Sequence, residues 1–290
     1  MTDDTVISLS ARKPITVPAL RQRRQSGPAI AMLTCYDACF ARVLDEAEVD
    51  VLLVGDSLGM VLQGHETTVP VALEEMIYHT KSVARARPKS LIMTDMPFGS
   101  YQESPEQAYR NAAKLIASGA QMVKLEGGSW LAPTVEFLRT RDVPVCAHVG
   151  LTPQSIHALG TYRVQGKDDQ SAERIVNDAK LLEHAGAEML VVELVPSNVG
   201  ARLTSELSIP TIGIGAGPHT TGQVLVLHDM LGISKGKRPR FVKDFLGASG
   251  GGDIATAISQ YVAQVRAGAF PSSEHSFEQV TEIQRIVNRC

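Results

Sequence analysis

Cysteine is scarce in this chain, and that scarcity rules out a disulfide scaffold. There are four in 290 residues, and Cys35 and Cys39 form a lone C-x-x-x-C pair without the further ligands that a zinc or iron–sulfur site needs. They read as reduced structural thiols. Long hydrophobic runs are also missing: no stretch approaches the roughly 18 to 20 uncharged residues of a membrane helix. The basic residues near the start (Arg12, Lys13, Arg21, Arg23, Arg24) precede no apolar region with a small-residue cleavage site. They do not make a signal peptide, and a cytoplasmic location is expected. Nor does one sign of charge dominate, since the net charge is −3 with both signs interspersed. The chain therefore lacks the electrostatic footprint of a nucleic-acid binder.

What is present is enough apolar material for a large core, with 44% hydrophobic and 20% charged residues. That length allows one barrel-sized domain or two smaller ones. Short β-like apolar runs alternate with longer amphipathic stretches, and the runs cover 29–34, 51–55, 91–94, 122–125, 143–147, 189–192, 211–213 and 223–227. Between them lie helix signals. Ser104-Pro105-Glu106-Gln107 supplies an N-cap, a proline at the first helical position and polar side chains in the first turn, and Gly119 ends that helix. A second helix runs from near Ser171 to Gly186. Strands alternating with helices imply parallel pairing by right-handed crossovers, and eight such units match an α/β fold of the (β/α)8 TIM-barrel type. A doubly wound sheet is the alternative.

Three segments follow from this: an N-terminal extension (1–28), the barrel with its C-terminal helix (29–270) and a polar tail (271–290). Residues 249–253 read as a flexible break before that helix. The outer segments are expected to cover barrel ends or to make subunit contacts.

Acidic residues close four of the apolar runs: Asp56, Asp95, Glu126 and Glu193. A carboxylate beside a core run is costly to desolvate, so the recurrence calls for a common cause. In a barrel all strand C-termini converge on the face that carries the active site. Asp56, Asp95 and Glu126 then form an arc of oxygen ligands suited to a hard cation such as Mg2+, although each could instead cap a helix. Lys124 shares a strand face with Glu126 by period-two alternation. It is either a structural ion pair or a cation for an anionic substrate, with imine formation a third option. His148 is either a hydrogen-bonded core residue or a catalytic one. Glu193, apart from the arc, suits a metal-free general base, or else a carboxylate paired with an arginine. The glycines of 212–217 allow either a phosphate site or a tight turn. The turn at 55–60 lets Ser57 and backbone N–H groups approach an anion.

Leu53-Val54-Gly55-Asp56-Ser57-Leu58-Gly59-Met60, Gln63-Gly64-His65, Met122-Val123-Lys124-Leu125-Glu126-Gly127-Gly128, His148-Val149-Gly150-Leu151-Thr152-Pro153-Gln154 and Gly213-Ile214-Gly215-Ala216-Gly217 occur in this order. Together they closely resemble the ketopantoate (3-methyl-2-oxobutanoate) hydroxymethyltransferase family, over roughly residues 28 to 277. The resemblance implies a barrel of the phosphoenolpyruvate/pyruvate superfamily type and a cytoplasmic homo-oligomer, often a decamer. It implies transfer of a hydroxymethyl group from the co-substrate 5,10-methylenetetrahydrofolate to 3-methyl-2-oxobutanoate, giving 2-dehydropantoate in coenzyme A biosynthesis. The family's metal positions fall on Asp56, Asp95 and Glu126, its substrate contacts on Asp56, Ser57, Asp95 and Lys124, and its proton acceptor on Glu193. His148 is expected to hydrogen-bond the substrate or the neighbourhood of Glu193. A 2-oxo-acid lyase of the same fold is disfavoured, because Val145-Cys146-Ala147-His148 sits on a strand where lyases carry a catalytic cysteine loop. A barrel hydrolase is disfavoured because the strand ends lack the set of histidines that usually holds its zinc pair. Intact acid and lysine positions argue against a catalytically silent scaffold.

Overall fold

Eight parallel strands hydrogen-bond in chain order and close on themselves: β1 (Ile30–Thr34), β2 (Val51–Val54), β3 (Leu91–Asp95), β4 (Met122–Glu126), β5 (Val145–Gly150), β6 (Met189–Glu193), β7 (Thr211–Ile214) and β8 (Gly222–Leu225). This computed structural model describes residues 12–234, 236–248 and 252–278. Helices follow the strands and surround the barrel, so both faces of each strand are buried and the strands read as continuous apolar runs.

Period-two alternation divides those runs into two cores. Ile30, Met32, Val51, Leu53, Leu91, Met93, Met122, Cys146, Met189, Val191, Ile212 and Val224 fill the interior. The residues between them, such as Leu33, Leu52, Val54, Val123, Leu125, Leu190 and Val192, pack outward with the helices. Carried two residues further up, the inward series becomes polar: Asp95 after Met93, Lys124 and Glu126 after Met122, His148 after Cys146, and Glu193 after Val191. An apolar plug thus supports a polar layer at the C-terminal mouth. Register sets the neighbours, with Asp95 opposite Lys124 and Glu126 opposite His148.

The boundaries differ from the sequence expectation by more than one residue in three places. The fifth strand starts at Val145 and runs on to Gly150, instead of covering 143–147. Pro144 has no N–H for the ladder, so it contributes only its carbonyl, to Val123 N at 3.0 Å. The eighth strand ends at Leu225, because Thr34 Oγ1 accepts from Leu227 N at 2.8 Å and turns the chain into the short helix Leu227–Met230. The helix expected from Ser171 begins at Asp169, where Asp168 caps it by accepting from Ser171 N.

At the opposite mouth the described part of the N-terminal extension packs against the barrel interior. Ile15 and Leu20, the latter on the helix Val17–Arg23, join the interior cluster from below. Asp50, fully buried just before β2, accepts from Ala31 N at 3.0 Å and faces three guanidinium groups: Arg23 at 2.8 Å, Arg266 at 3.4 Å and Arg12 at 3.7 Å. Arg266 ends the C-terminal helix Ile254–Arg266, whose Tyr261 hydroxyl lies 2.9 Å from the carbonyls of Met32 and Gln223. One carboxylate therefore ties the N-terminal extension and the barrel's C-terminal helix to the barrel floor. Residues 1–11, 249–251 and 279–290 of the extension, the break and the tail lie outside the described residues. No helix among the described residues is long and apolar enough to cross a membrane.

Candidate active site

The polar layer opens into a cavity of about 660 Å³ at the C-terminal ends of the strands, lined in its depth by Asp56, Ser57, Asp95, Lys124, Glu126, His148 and Glu193. All seven expected site residues therefore share one space. Asp56 and Ser57 sit on the turn after β2; the other five stand on β3 to β6. Asp95 Oδ2 accepts from Asp56 N at 3.1 Å, which draws that turn over β3. Ser57 Oγ lies 2.9 Å from the Tyr36 hydroxyl.

Lys124 is buried, with Nζ 3.1 Å from Asp95 Oδ1 and 3.3 Å from Glu126 Oε1. Burial by itself would lower its pKa, but Asp95, Glu126 and Asp56 outweigh that and hold it well above the ordinary lysine value. A charged ammonium is no nucleophile, so imine formation does not suit this lysine.

His148 joins two glutamates: Nδ1 lies 3.2 Å from Glu126 Oε1 and Nε2 lies 3.3 Å from Glu193 Oε2. Burial and Lys124 both oppose its protonation, yet Glu126 and Glu193 raise its pKa to about 9. Glu193 is thus linked through His148 to the acidic arc and is paired with no arginine among the described residues. Its backbone is tightly placed. Gly150, at φ 93, lies so close that a Cβ there would come within 2.2 Å of the Glu193 carbonyl oxygen, and Leu194 follows at φ 43.

The three acids of the arc are not equivalent. Burial raises the pKa of Asp56 well above the ordinary value, and repulsion from Asp95 and Glu126 adds to it. Burial likewise raises Asp95. For Glu126 burial is outweighed by Lys124 and His148, and its pKa falls to about 2. Its oxygens are already engaged, Oε1 by those two cations and Oε2 by Gln154 N at 3.1 Å. Asp95 Oδ1, by contrast, is buried and meets Lys124 without hydrogen-bond geometry. Among the described residues no group of three or more His, Cys, Asp or Glu side chains is gathered closely enough to hold a metal ion. The oxygen-only donors Asp56 and Asp95, raised by burial and each repelled by the neighbouring acids, nonetheless fit a hard cation.

Three residues that strand-end reasoning did not single out complete the site. Gln154, on the 3-10 turn Pro153–Ser155, donates through Nε2 to Asp56 Oδ2 and to the Met96 carbonyl, both at 2.9 Å. The Tyr101 hydroxyl donates to Gln154 Oε1 at 2.7 Å and accepts from Glu126 N at 3.2 Å. Tyr36 holds Ser57, as above. The only signal was for Gln154, which closes the His148–Gln154 motif. The glycines of 212–217 are explained by close packing: a Cβ on Gly215 would press on the Phe241 ring at 3.2 Å, and one on Gly217 on Ser197 Oγ at 2.5 Å.

A closed parallel barrel whose acids, lysine and histidine converge on one cavity at the strand C-termini has the architecture of a barrel enzyme. The chain belongs to the ketopantoate hydroxymethyltransferase family, whose model matches residues 14–273. It is 58% identical over 273 residues to the 3-methyl-2-oxobutanoate hydroxymethyltransferase of Paraburkholderia phymatum, covering 94% of this chain and all of that protein. The enzyme of the same name from Burkholderia thailandensis matches equally, at 58% over the same coverage. Among solved structures, phosphoenolpyruvate phosphomutase from Streptomyces platensis subsp. rosaceus superposes with a TM-score of 0.57 at 12% identity, covering 75% of this chain and 83% of its own. A phosphonopyruvate hydrolase does so at 0.56 and 12%, covering 95% and 96%. A 2,3-dimethylmalate lyase, described as a member of the PEP mutase/isocitrate lyase superfamily, superposes at TM-score 0.52 and 15% identity, covering 74% of this chain and 82% of its own, so the chain shares its barrel fold with these proteins.

Proposed function

We propose that the chain transfers a hydroxymethyl group from 5,10-methylenetetrahydrofolate to 3-methyl-2-oxobutanoate, forming 2-dehydropantoate and tetrahydrofolate with uptake of one water. Family membership and the names of the relatives support the reaction. The observation that carries the site assignment is the separation of two kinds of carboxylate in one cavity: Asp56 and Asp95 beside Lys124, and Glu193 on β6 beside His148.

The chemistry requires a carbanion at C3, next to the keto group. Lys124 and Ser57 anchor the substrate carboxylate and fix the plane in which C3 loses its proton. Glu193 takes that proton as general base, and His148 on the neighbouring strand faces the carboxylate with Nε2 3.3 Å away. The electron pair left at C3 delocalises onto the keto oxygen and then forms the new carbon–carbon bond to the folate-borne one-carbon unit. One of the two carbon–nitrogen bonds that hold the one-carbon unit breaks as the carbon–carbon bond forms, its nitrogen taking the proton removed from C3; the second breaks as water supplies the hydroxyl and leaves its other hydrogen on that nitrogen. Asp56 and Asp95 would hold a divalent cation, Mg2+ in this reading, with Glu126 behind them; when bound, the ion supplies Lewis-acid stabilisation of the developing negative charge. Gln154 and Tyr101 keep Asp56 and the end of β4 in place.

Family membership also supports a homo-oligomer, often a decamer, acting in the cytoplasm; sedimentation analysis tests the first, a monomer at all concentrations being the contrary result. The activity itself is tested by product formation from the two substrates with and without Mg2+. Turnover that depends on both substrates and on the cation is expected. Turnover of 2-oxo acids without folate would point instead to a lyase.

A further inference from the structure

The cavity segregates charge by depth. Its acidic lining residues, Asp56, Asp95, Glu126, Glu193 and Asp229, are buried or half-buried. Its basic lining residues other than Lys124 and His148, namely Arg163, Lys167, Lys237, Arg238 and Arg240, are all exposed at the rim. These come from two segments, the loop after β5 and the one after β8. The walls also carry apolar side chains, Leu194, Val226 and Phe241 buried or half-buried and Pro239 exposed between Arg238 and Arg240.

A small 2-oxo acid accounts for neither the volume nor the rim. About 660 Å³ lies in the range that holds a ligand of drug size. The acid's single carboxylate is already matched by Lys124 and Ser57 in the depth. A five-fold basic rim with apolar side chains in the walls suits a longer second molecule with an aromatic body and an anionic end. Arg238 and Arg240 are partly committed, the first to Asp244 at 2.8 Å and the second to the Glu274 carbonyl at 2.8 Å, lying 5.6 Å over the Phe277 ring. Those contacts hold the 237–241 segment at the mouth and leave Arg163 and Lys237, on two different loops, as the side chains to vary.

We propose that the outer cavity is the co-substrate subsite, with the apolar wall at Pro239 and Phe241 against the folate's ring system and the rim around Arg163 and Lys237 taking its glutamate carboxylates. The assignment rests on the reaction proposed above. Exposed charge pairs are individually weak, so the effect is a change in KM of modest size that salt screens.

The test compares methylenetetrahydrofolate with a tailless methylene-tetrahydropterin in the full-length enzyme. Replacing both Arg163→Gln and Lys237→Gln is expected to raise the KM for the intact co-substrate about three- to tenfold, and Lys237→Glu is expected to raise it further. The KM for the tailless compound does not follow, and high salt weakens only the intact one in the unaltered enzyme. An unchanged KM for the intact co-substrate, an equal rise for both compounds, or a rise in the KM for the 2-oxo acid instead would overturn the subsite. Exchange of the substrate's C3 hydrogen with deuterated water in the unaltered enzyme, without folate, separates the two readings. If exchange occurs and the rim variants behave as controls, the subsite alone falls; if the unaltered enzyme neither exchanges nor turns over, the enzymatic reading falls and takes the subsite with it.

Discussion

Gln154 and Asp56, 98 residues apart in sequence, meet with Nε2 of the glutamine 2.9 Å from Oδ2 of the aspartate. The same amide nitrogen reaches the Met96 carbonyl, and the Gln154 backbone N–H reaches Glu126, so one buried residue joins the turn after β2, through its side chain, to the end of β3, and through its backbone to the end of β4. Removing it leaves an acceptor on Asp56 without its donor. Groups that orient metal ligands typically cost about 10- to 100-fold when lost. Gln154→Leu should therefore weaken the apparent Mg2+ affinity by at least about tenfold, measured as the cation concentration giving half-maximal turnover. An unchanged Mg2+ dependence would show that Gln154 serves packing alone.

Glu193→Gln keeps the shape of the side chain and removes the base. General base catalysis contributes about 10²- to 10⁴-fold. Exchange of the C3 hydrogen of 3-methyl-2-oxobutanoate in deuterated water, followed by proton NMR, should fall by that order, while binding of the 2-oxo acid measured by calorimetry stays close to the unaltered value. Retained exchange would assign the proton to another group.

Asp95→Asn tests the cation. Asp95 Oδ1 meets only the Lys124 ammonium among the described residues, so neutralising this acid removes the negative charge that a hard cation would seek. Calorimetric titration with Mg2+ in the presence of 2-oxo acid should show binding weakened by about tenfold or more, and exhaustive chelation should silence the unaltered enzyme. Full activity after chelation would remove the metal from the mechanism.

Much of this site was legible because strands alternate. Lys124 and Glu126 share the inward face with Met122, and register then brings Asp95 and His148 beside them. Glu193 followed from the same rule. The strand ends were less legible: Pro144 delays β5 because it lacks an N–H, whereas Gly150 prolongs it by pairing with Glu193 and Thr34 turns the chain after β8, both through contacts from elsewhere in the chain. Gln154 could not be read at all as a partner of Asp56, since it stands on a 3-10 turn and its contacts lie 28, 58 and 98 residues away. Neither could the inequality of the three acids, which arises because Lys124 and His148 both face Glu126.

Burial pushes the thiols of Cys35 and Cys146 up to about 12, whereas Cys39 is exposed on the first turn of its helix. The thiolate is the reactive form. Brief treatment of the native protein with iodoacetamide at pH 8 should therefore label Cys39 and spare Cys35 and Cys146, as read from tryptic peptides by mass spectrometry. Denaturation should make all three reactive. Cys290 lies outside the described residues and is scored separately.

Asp50 is the corresponding polar anchor at the opposite end of the barrel. Its carboxylate is fully buried, and Arg12, Arg23 and Arg266 approach it from the N-terminal segment and the C-terminal helix. Breaking a buried pair by removing one partner typically costs about 3 to 5 kcal/mol, since the remaining charges stay desolvated. Asp50→Asn keeps the volume and an acceptor for Ala31 N, so it isolates the charge. It should lower the thermal midpoint by roughly 10 °C for a barrel of this size. Catalysis at low temperature should be spared, because Asp50 precedes β2 while the cavity lies beyond the strand's other end. A midpoint within about 2 °C of the unaltered protein would mean that the apolar contacts of Ile15 and Leu20, rather than the ion cluster, hold the floor.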